Sequence, residues 1–414
     1  MQKEEFEGYT YIDGGVCAAR GFLANGLNCG LNPNKEKNDL ALVYSEGECQ
    51  SACVYTSNKV KGAPITVTQK NLEQSGGISR AVIANSKNAN TCNDNGIEIA
   101  NGMCQLVEKQ MGIPANQVIV ASTGVIGMKM ELTPFENAME ELAKGLTRDG
   151  NLRAETAIMT TDTVPKEVAV SFELDGITCH MGGMGKGSGM INPHMATTLN
   201  FITTDVNISS EMLQKALDEV VQVTYNCLTV DGDMSTNDMV SVMANGFAGN
   251  SPITAEGKEY EIVKQALYIV MLQITKMLAK DGEGATKFLE CQVKGAPSLE
   301  LAVQIAKSVA GSTLLKCAIF GADANWGRVA CAVGYTPGDF EVDRMDVDFV
   351  SKAGVIPVGR NGFGISFSEE EALKVLSEDE ITVVVDLHYG ENEAKAWGCD
   401  LTYDYVKING DYRS

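Results

Sequence analysis

The sequence predicts a layered protein of mixed helices and strands, α/β or α+β, and three observations carry that expectation. Apolar residues recur at helical spacing over long stretches of the second half. Short β-branched or alternating runs separate these stretches and dominate the first half. No repeat and no low-complexity tract interrupts the pattern. In the 414 residues, hydrophobic side chains make up 44% and charged ones 21%, which supplies a sizeable core. There are 42 glycines, so many tight turns or close backbone approaches are expected.

Taken in order, Asn85 to Asn95 (NSKNANTCNDN) is polar and rich in turn formers, and reads as a loop. Gln117 to Ala121 (QVIVA) and Glu167 to Phe172 (EVAVSF) read as strands. Met212, Leu213, Ala216, Leu217, Val220 and Val221 mark one face of a helix. Tyr260, Val263, Ala266, Leu267, Val270, Met271, Ile274 and Leu278 mark a longer one. Phe288 to Val293 is a further strand, followed by the turn Gly295 to Pro297. Ser298 is then placed to cap a third helix with Leu299, Val303, Ala306 and Val309 on one face. Thr382 to Leu387 (TVVVDL) is a late strand. The turn makes a boundary near residue 295 an expectation, with a C-terminal domain over 296–414.

Lys and Arg number 33 against 54 Asp and Glu, a formal net charge of −21. Such a balance argues against sequence-independent binding of nucleic acid and against docking on anionic membranes. The opening MQKEEFEGYTYIDGG lacks the apolar core of a secretory signal. The densest apolar stretch, Ala266 to Ile274, is nine residues interrupted by Gln273, short of the roughly 20 that a membrane span needs. A cytoplasmic protein is expected. The twelve cysteines are scattered, as free thiols in a reducing compartment would be. Cys49 and Cys53 lie four apart with no second pair, and His180, His194 and His388 lack zinc-ligand spacing, so no metal is expected.

The unusual stretch is Met181 to Asp205, with five glycines around Lys186 and then two adjacent threonines. It is not a phosphate loop, because Gly187 stands where a hydroxyl should follow the lysine. The spacing of Gly185, Gly187 and Gly189 also fails the dinucleotide fingerprint. A threonine hydroxyl becomes a useful nucleophile when a base sits beside it, and a free α-amine on the same residue can be that base. Its ordinary pKa of about 7.7–8.0 leaves much of it able to accept a proton near neutrality. The amine requires a cut in the chain, and Ala196–Thr197 suits one: Ala196 is small, Pro193 fixes the backbone upstream, and the glycines permit tight geometry. The residues alone leave a plain glycine-rich connection to a strand standing beside this reading.

Lys186 to Leu199 (KGSGMINPHMATTL) resembles the self-cleavage segment of the ornithine acetyltransferases, the ArgJ family of glutamate N-acetyltransferases of arginine biosynthesis. Thr198 is the one local departure, where methionine is usual. The resemblance covers nearly the whole chain. It includes Ala121 to Gly127 (ASTGVIG), Ile158 to Lys166 (IMTTDTVPK), Asp231 to Asp238 (DGDMSTND), Asp281 to Lys287 (DGEGATK), Gly321 to Val329 (GADANWGRV) and Cys399 to Ser414.

The resemblance implies two β-sheets sandwiched between helices, with a smaller C-terminal α/β domain. It implies self-cleavage between Ala196 and Thr197 into an α chain (1–196) and a β chain (197–414), with Thr197 as nucleophile. Thr123 and Gly124 would form the oxyanion hole. Thr160, Lys186, Thr197, Glu283, Asn409 and Ser414 would contact substrate. The reaction would move an acetyl group from N-acetylornithine to glutamate through acetyl-Thr197, with no cofactor and an α2β2 assembly; some members of the family also take acetyl-CoA as a co-substrate and others do not, and no residue of this sequence separates the two. Two alternatives stand beside it. One is a self-processing aminopeptidase of the same fold, in which water takes the acyl group; the other is a non-catalytic binding protein with an uncut loop. Without the resemblance, Lys186 would read as a solvated loop lysine, Glu283 as a surface residue, and Asn409 and Ser414 as parts of a frayed terminus. Asp323, Asn325 and Arg328 read as a turn with a buried ion pair.

Overall fold

The computed structural model describes residues 3–192 and 198–411. Nine strands share one sheet: β1 (Tyr9–Ile12), β2 (Phe22–Leu27), β3 (Leu40–Tyr55), β4 (Ile78–Asn85), β5 (Val118–Ser122), β6 (Glu167–Leu174), β7 (Ile177–Lys186), β8 (Leu199–Thr204) and β9 (Met239–Ala244). Their order is β1-β6-β7-β8-β9-β3-β4-β5, with β2 also on β3. The pairs β4–β5 and β8–β9 are parallel; the others are antiparallel.

This sheet is folded into two facing layers by its longest strand. The first part of β3 pairs with β2 and β4, its last part pairs with β9, and the register slips between Tyr44 and Cys49. Alternation along the strands shows the layering, because side chains of successive residues leave a strand on opposite faces. Ala41, Val43, Val82, Ala84, Ile119 and Ala121 share one core with Met184, Phe201, Met239 and Met243 from the other limb. Their neighbours Leu42, Ala81, Ile83, Val118 and Val120 face outward into a core closed by helices. Those helices are α1 (Ala63–Ser75), α2 (Gly96–Met111) and α3 (Thr133–Lys144). A fourth, α4 (Asn151–Ile158), packs on β2 and β3. On the far side, Val170, Ile202, Val240 and Val242 meet α5 (Ser210–Gln222) and α6 (Lys258–Lys280).

A second sheet follows, in the order β13-β12-β11-β14-β10-β15. Its strands are β10 (Phe288–Ala296), β11 (Asp346–Ser351), β12 (Gly354–Arg360), β13 (Phe363–Gly364), β14 (Glu380–Asp386) and β15 (Asn392–Cys399). Among the described residues five helices follow: α7 (Leu299–Gly311), α8 (Thr313–Phe320), α9 (Trp326–Gly334), α10 (Glu369–Leu376) and α11 (Tyr403–Gly410). The second sheet thus begins at residue 288, and the turn at 295–297 joins its first strand to α7.

Helix α6 packs against β6 and β7 of the first sheet and against β10 and β15 of the second. It is apolar nearly all round, as a helix enclosed on several sides must be. By length and composition alone it would reach across a membrane, but most of it is buried in the protein. The expectation that no stretch approaches a span is corrected to that extent; isolated polar residues such as Gln273 break the apolar run without shortening the helix.

The strands expected at 117–121 and 167–172 are β5 and β6, shifted by at most two residues at their ends. All six apolar positions expected on the first helix are buried in α5. Ser298 caps α7 by accepting the N–H of Leu301. The face expected on α7 is corrected: the buried stripe is Leu301, Ala302, Ile305, Ala306, Val309 and Ala310, and Leu299 is exposed.

Candidate active site

A cavity of about 300 Å³ opens where the loops after β5, β7 and α4 meet the turn after α6. Thr123, Gly124, Thr160, Lys186, Glu283 and Asn409 all line it, drawn from segments far apart in the chain. Ala196, Thr197 and Ser414 lie outside the described residues. On either side of the junction, Gly189, Met190 and Thr198 are on the same wall.

Thr123 and Gly124 leave the end of β5. The Thr123 N–H donates to the Asn85 carbonyl at 2.9 Å and the Val125 N–H to Lys87 at 3.1 Å, zipping this turn onto the Asn85–Asn95 loop. Gly124 has φ +126°, and a Cβ there would stand 2.2 Å from the Lys87 carbonyl carbon, so glycine is required. Among the described residues its N–H has no acceptor. Asn85, Ser86 and residues 88–91 of the loop are buried scaffolding: Asn85 donates to the Ser86 and Asn88 carbonyls, and Asn237 donates to Ala89 and Ser122. These amides satisfy backbone groups that no sheet or helix reaches.

Lys186 ends β7 and is buried, not a solvated loop residue. Its Nζ donates to Thr123 Oγ1 at 3.3 Å. An ammonium has only donors, so the hydroxyl hydrogen of Thr123 is directed elsewhere. Burial lowers the Lys186 pKa, while Asp162, Asp238 and Glu283 oppose that shift. Glu283 is also buried, with its carboxyl against Gly189 and accepting from Asn409 Nδ2 at 2.6 Å. Asn409 is in α11, so the described part of the C-terminus is ordered helix.

Behind the cavity lies an ion cluster that sequence reasoning did not single out. Lys166 is fully buried, and its ammonium donates to Asp162 at 2.7 Å, to Asp281 at 2.6 Å and to the Val164 carbonyl at 3.2 Å. Asp162 also accepts the N–H groups of Thr160 at 3.0 Å and Gly187 at 2.7 Å. Burial alone would raise the Asp162 pKa, but Lys186 and Lys166 hold it at about 2. Asp281 accepts the N–H of Thr163 at 3.0 Å as well as its hydroxyl. One charge cluster therefore ties together the loop of Thr160, the start of the glycine-rich segment and the turn of Glu283. Both carboxylates lie within motifs visible in the sequence, IMTTDTVPK and DGEGATK, but the Lys166–Asp281 contact that joins them spans 115 residues.

Both flanks of the junction are clamped. Upstream, Asp231 accepts the N–H groups of Met190 and Ile191 at 2.6 and 2.9 Å, and Asn192 donates to the Gly232 carbonyl. Downstream, Thr198 donates its N–H to Asp238 Oδ1 at 2.6 Å and accepts from the Met239 N–H at 2.9 Å. Thr198 has φ +86°, a strained conformation for a β-branched residue.

Elsewhere, the buried ion pair expected around Asp323 is corrected. Asp323 is exposed, Asn325 caps α9, and Arg328 donates to the Leu314 carbonyl instead. The Asp323 carboxylate accepts instead from the Asn325 side-chain amide at 3.0 Å. Among the described residues no cluster of three or more His, Cys, Asp or Glu is placed to hold a metal. All twelve cysteines are free thiols.

Comparison with known proteins adds to this geometry. A model of the ArgJ family matches residues 23–414. An arginine biosynthesis bifunctional protein ArgJ 1 of Clostridium acetobutylicum is 45% identical over 394 residues, covering 95% of this chain and 96% of that protein. A crystal structure of an arginine biosynthesis bifunctional protein ArgJ from Bacillus halodurans is 45% identical, with a TM-score of 0.48, over 51% of this chain and 97% of that chain. An ornithine acetyltransferase from Mycobacterium tuberculosis, solved with ornithine, is 34% identical, with a TM-score of 0.42, over 45% of this chain and 100% of that chain.

Proposed function

The chain belongs to the ArgJ family, and from that premise we propose how its cavity works. It is an acetyltransferase of arginine biosynthesis. In our reading the donor is N-acetylornithine, the acceptor is glutamate, and the acetyl group rests on Thr197 between the two half-reactions.

The chain first cuts itself. Thr197 Oγ attacks the Ala196 carbonyl carbon, the peptide C–N bond breaks to give an ester, and water hydrolyses that ester. The released α-amine then serves as base. It takes the Thr197 hydroxyl proton as Oγ attacks the acetyl carbonyl, and passes it to the leaving nitrogen of ornithine. The α-amine of glutamate attacks the acetyl ester, Oγ leaves with a returned proton, and N-acetylglutamate departs. Both half-reactions pass through a tetrahedral oxyanion, which the Thr123 hydroxyl and the Gly124 N–H would receive. Losing one such donor typically costs about 10²–10³ in rate. Thr160, Lys186, Glu283, Asn409 and Ser414 form the set that meets the carboxylate and ammonium groups of the substrates. No cofactor is required, acetyl-CoA is a further co-substrate, and the cut chains stay together as a cytoplasmic α2β2 assembly.

The observation that carries this reading is convergence. Two free donors, a buried lysine and a buried carboxylate from distant segments line one cavity with both described flanks of the junction. Intact mass measurement with N-terminal sequencing tests it: a fragment beginning TTLNFITTD is expected, and Thr197→Ala should stay a single chain without acetyl transfer. Normal processing of Thr197→Ala would overturn the assignment. Consumption of the acetyl ester by water at a rate indifferent to glutamate would favour the aminopeptidase alternative.

A further inference from the structure

Two consecutive side chains just ahead of β9 grip different walls of the cavity. Asp238 holds the Thr198 N–H. Asn237 reaches the other way, to the end of β5, on the opposite limb of the folded sheet. Its Nδ2 donates to the Ala89 carbonyl at 2.6 Å and to the Ser122 carbonyl at 3.0 Å. Its Oδ1 accepts the hydroxyls of Thr91 and Thr236, each at 2.6 Å. Both hydrogens and both lone pairs of the amide are therefore used. A carbonyl can only accept, so the nitrogen must be the atom that faces Ala89 and Ser122. Gly62 leaves the amide its room, since a Cβ there would stand 2.5 Å from Nδ2. Asn237 is 5% exposed and lines the cavity.

The bond to Ser122 bears on the residues that follow it. The Ser122 carbonyl and the Thr123 N–H belong to one trans peptide and point in opposite directions. The N–H goes to the Asn85 carbonyl at the end of β4. The Ser122 carbonyl must then point off the open edge of β5, which ends the sheet. Asn237 takes it from that side. This peptide plane is pinned at both ends, and the next peptide nitrogen along the chain is that of Gly124.

We propose that Asn237 is a positioning residue that fixes the oxyanion donors Thr123 and Gly124 against the strand that leaves the junction. The proposal rests on the oxyanion reading above. Asn237 and Asp238 are adjacent on one backbone, so the span between the β5 turn and Thr198 is set by a rigid dipeptide rather than by a loop. Without the Nδ2 donor, the Ser122 carbonyl is free to rotate off the edge, and the Gly124 N–H turns with it. A misplacement of about 1 Å at a reacting centre can cost about 10² in rate. The cost falls on the tetrahedral oxyanion and not on the bound substrate, so it appears in kcat and not in KM.

The test uses Asn237→Asp, Thr123→Val and the double variant in the full chain. The cut is read by intact mass, and rates are expressed per cut molecule. Asn237→Asp keeps the shape and the acceptor and loses both donors. Its kcat should fall about 10–10²-fold, with KM for N-acetylornithine and for glutamate within about threefold of wild type. Formation of the acetyl-enzyme and its discharge to glutamate should slow by similar factors, because one pair of donors serves both. Thr123→Val should lose about 10²–10³ in kcat. The double variant should lose clearly less than the product of the single losses, since Asn237 acts through the turn that Thr123 occupies. If Asn237→Asp is insoluble or uncut, Thr91→Val carries the test. It removes one of the two hydroxyls that fix the amide, and should lower kcat about three- to tenfold with KM unchanged. Unchanged kcat in the Asn237→Asp or Thr91→Val variant read, a rise in KM alone, or fully multiplicative losses would overturn the proposal. An undiminished kcat in Thr123→Val would instead sink the oxyanion reading on which it rests.

Discussion

Lys166 and Lys186 are both buried lysines beside the same cavity, and their surroundings differ in kind. The three hydrogens of the Lys166 ammonium are all taken, by two carboxylates and a carbonyl. Lys186 has one described acceptor, the Thr123 hydroxyl, and the carboxylates that act on it do so from beyond hydrogen-bond distance. A buried cation that is fully paired holds walls together; one with hydrogens to spare is poised for something that arrives. Burial alone does not distinguish them, but the inventory of partners does.

The contrast can be broken by measurement. The largest effect on stability is expected for Lys166→Met, which strands two buried carboxylates. It should cost about 3–5 kcal/mol in denaturant unfolding. Lys186→Met should cost clearly less, because Asp162 and Asp281 keep their hydrogen bonds to Lys166, yet lower kcat/KM for N-acetylornithine roughly 10²-fold. Equal destabilisation by the two substitutions would erase the distinction.

A smaller effect sharpens it. Asp162 is held at about 2 in the folded protein against about 3.9 unfolded, a difference of about 2.6 kcal/mol. That stabilisation is present above pH 4 and is lost as pH falls toward 2. Asp162→Asn should flatten this acid limb in a stability-against-pH series. Asp238 has the opposite sign: its raised pKa favours the folded state at low pH, and the contribution is lost as pH rises from about 4 to about 7. An Asp238→Asn series should lack that decline.

The regular parts of the molecule were legible in the sequence because burial there follows a period. Helix α5 shows every expected apolar position inside, and Ser298 caps α7 as its hydroxyl and position suggested. The difference on α7 came from Leu299, an apolar residue in the first turn that lies off the buried stripe. The site was legible only as motifs. Asn85–Asn95 was readable as a loop, but its buried Asn88 amide bonds to the Met128 and Lys129 carbonyls and the Asn237 amide reaches in to the Ala89 carbonyl, and no local pattern records that. The cluster of Asp162, Lys166 and Asp281 is likewise a long-range pairing, invisible to spacing. The folding of the nine-stranded sheet at β3 was hidden because a single continuous strand serves both layers.

Strands β7 and β8 are antiparallel neighbours, with Lys186 opposite Leu199 at the end nearest the junction. A cut between them shares one ladder between two polypeptides. Coming apart and unfolding then become the same event, and regaining the native state requires two separate chains to find each other. Recovery from denaturant should therefore slow on dilution, whereas an uncut variant should recover at a rate indifferent to concentration.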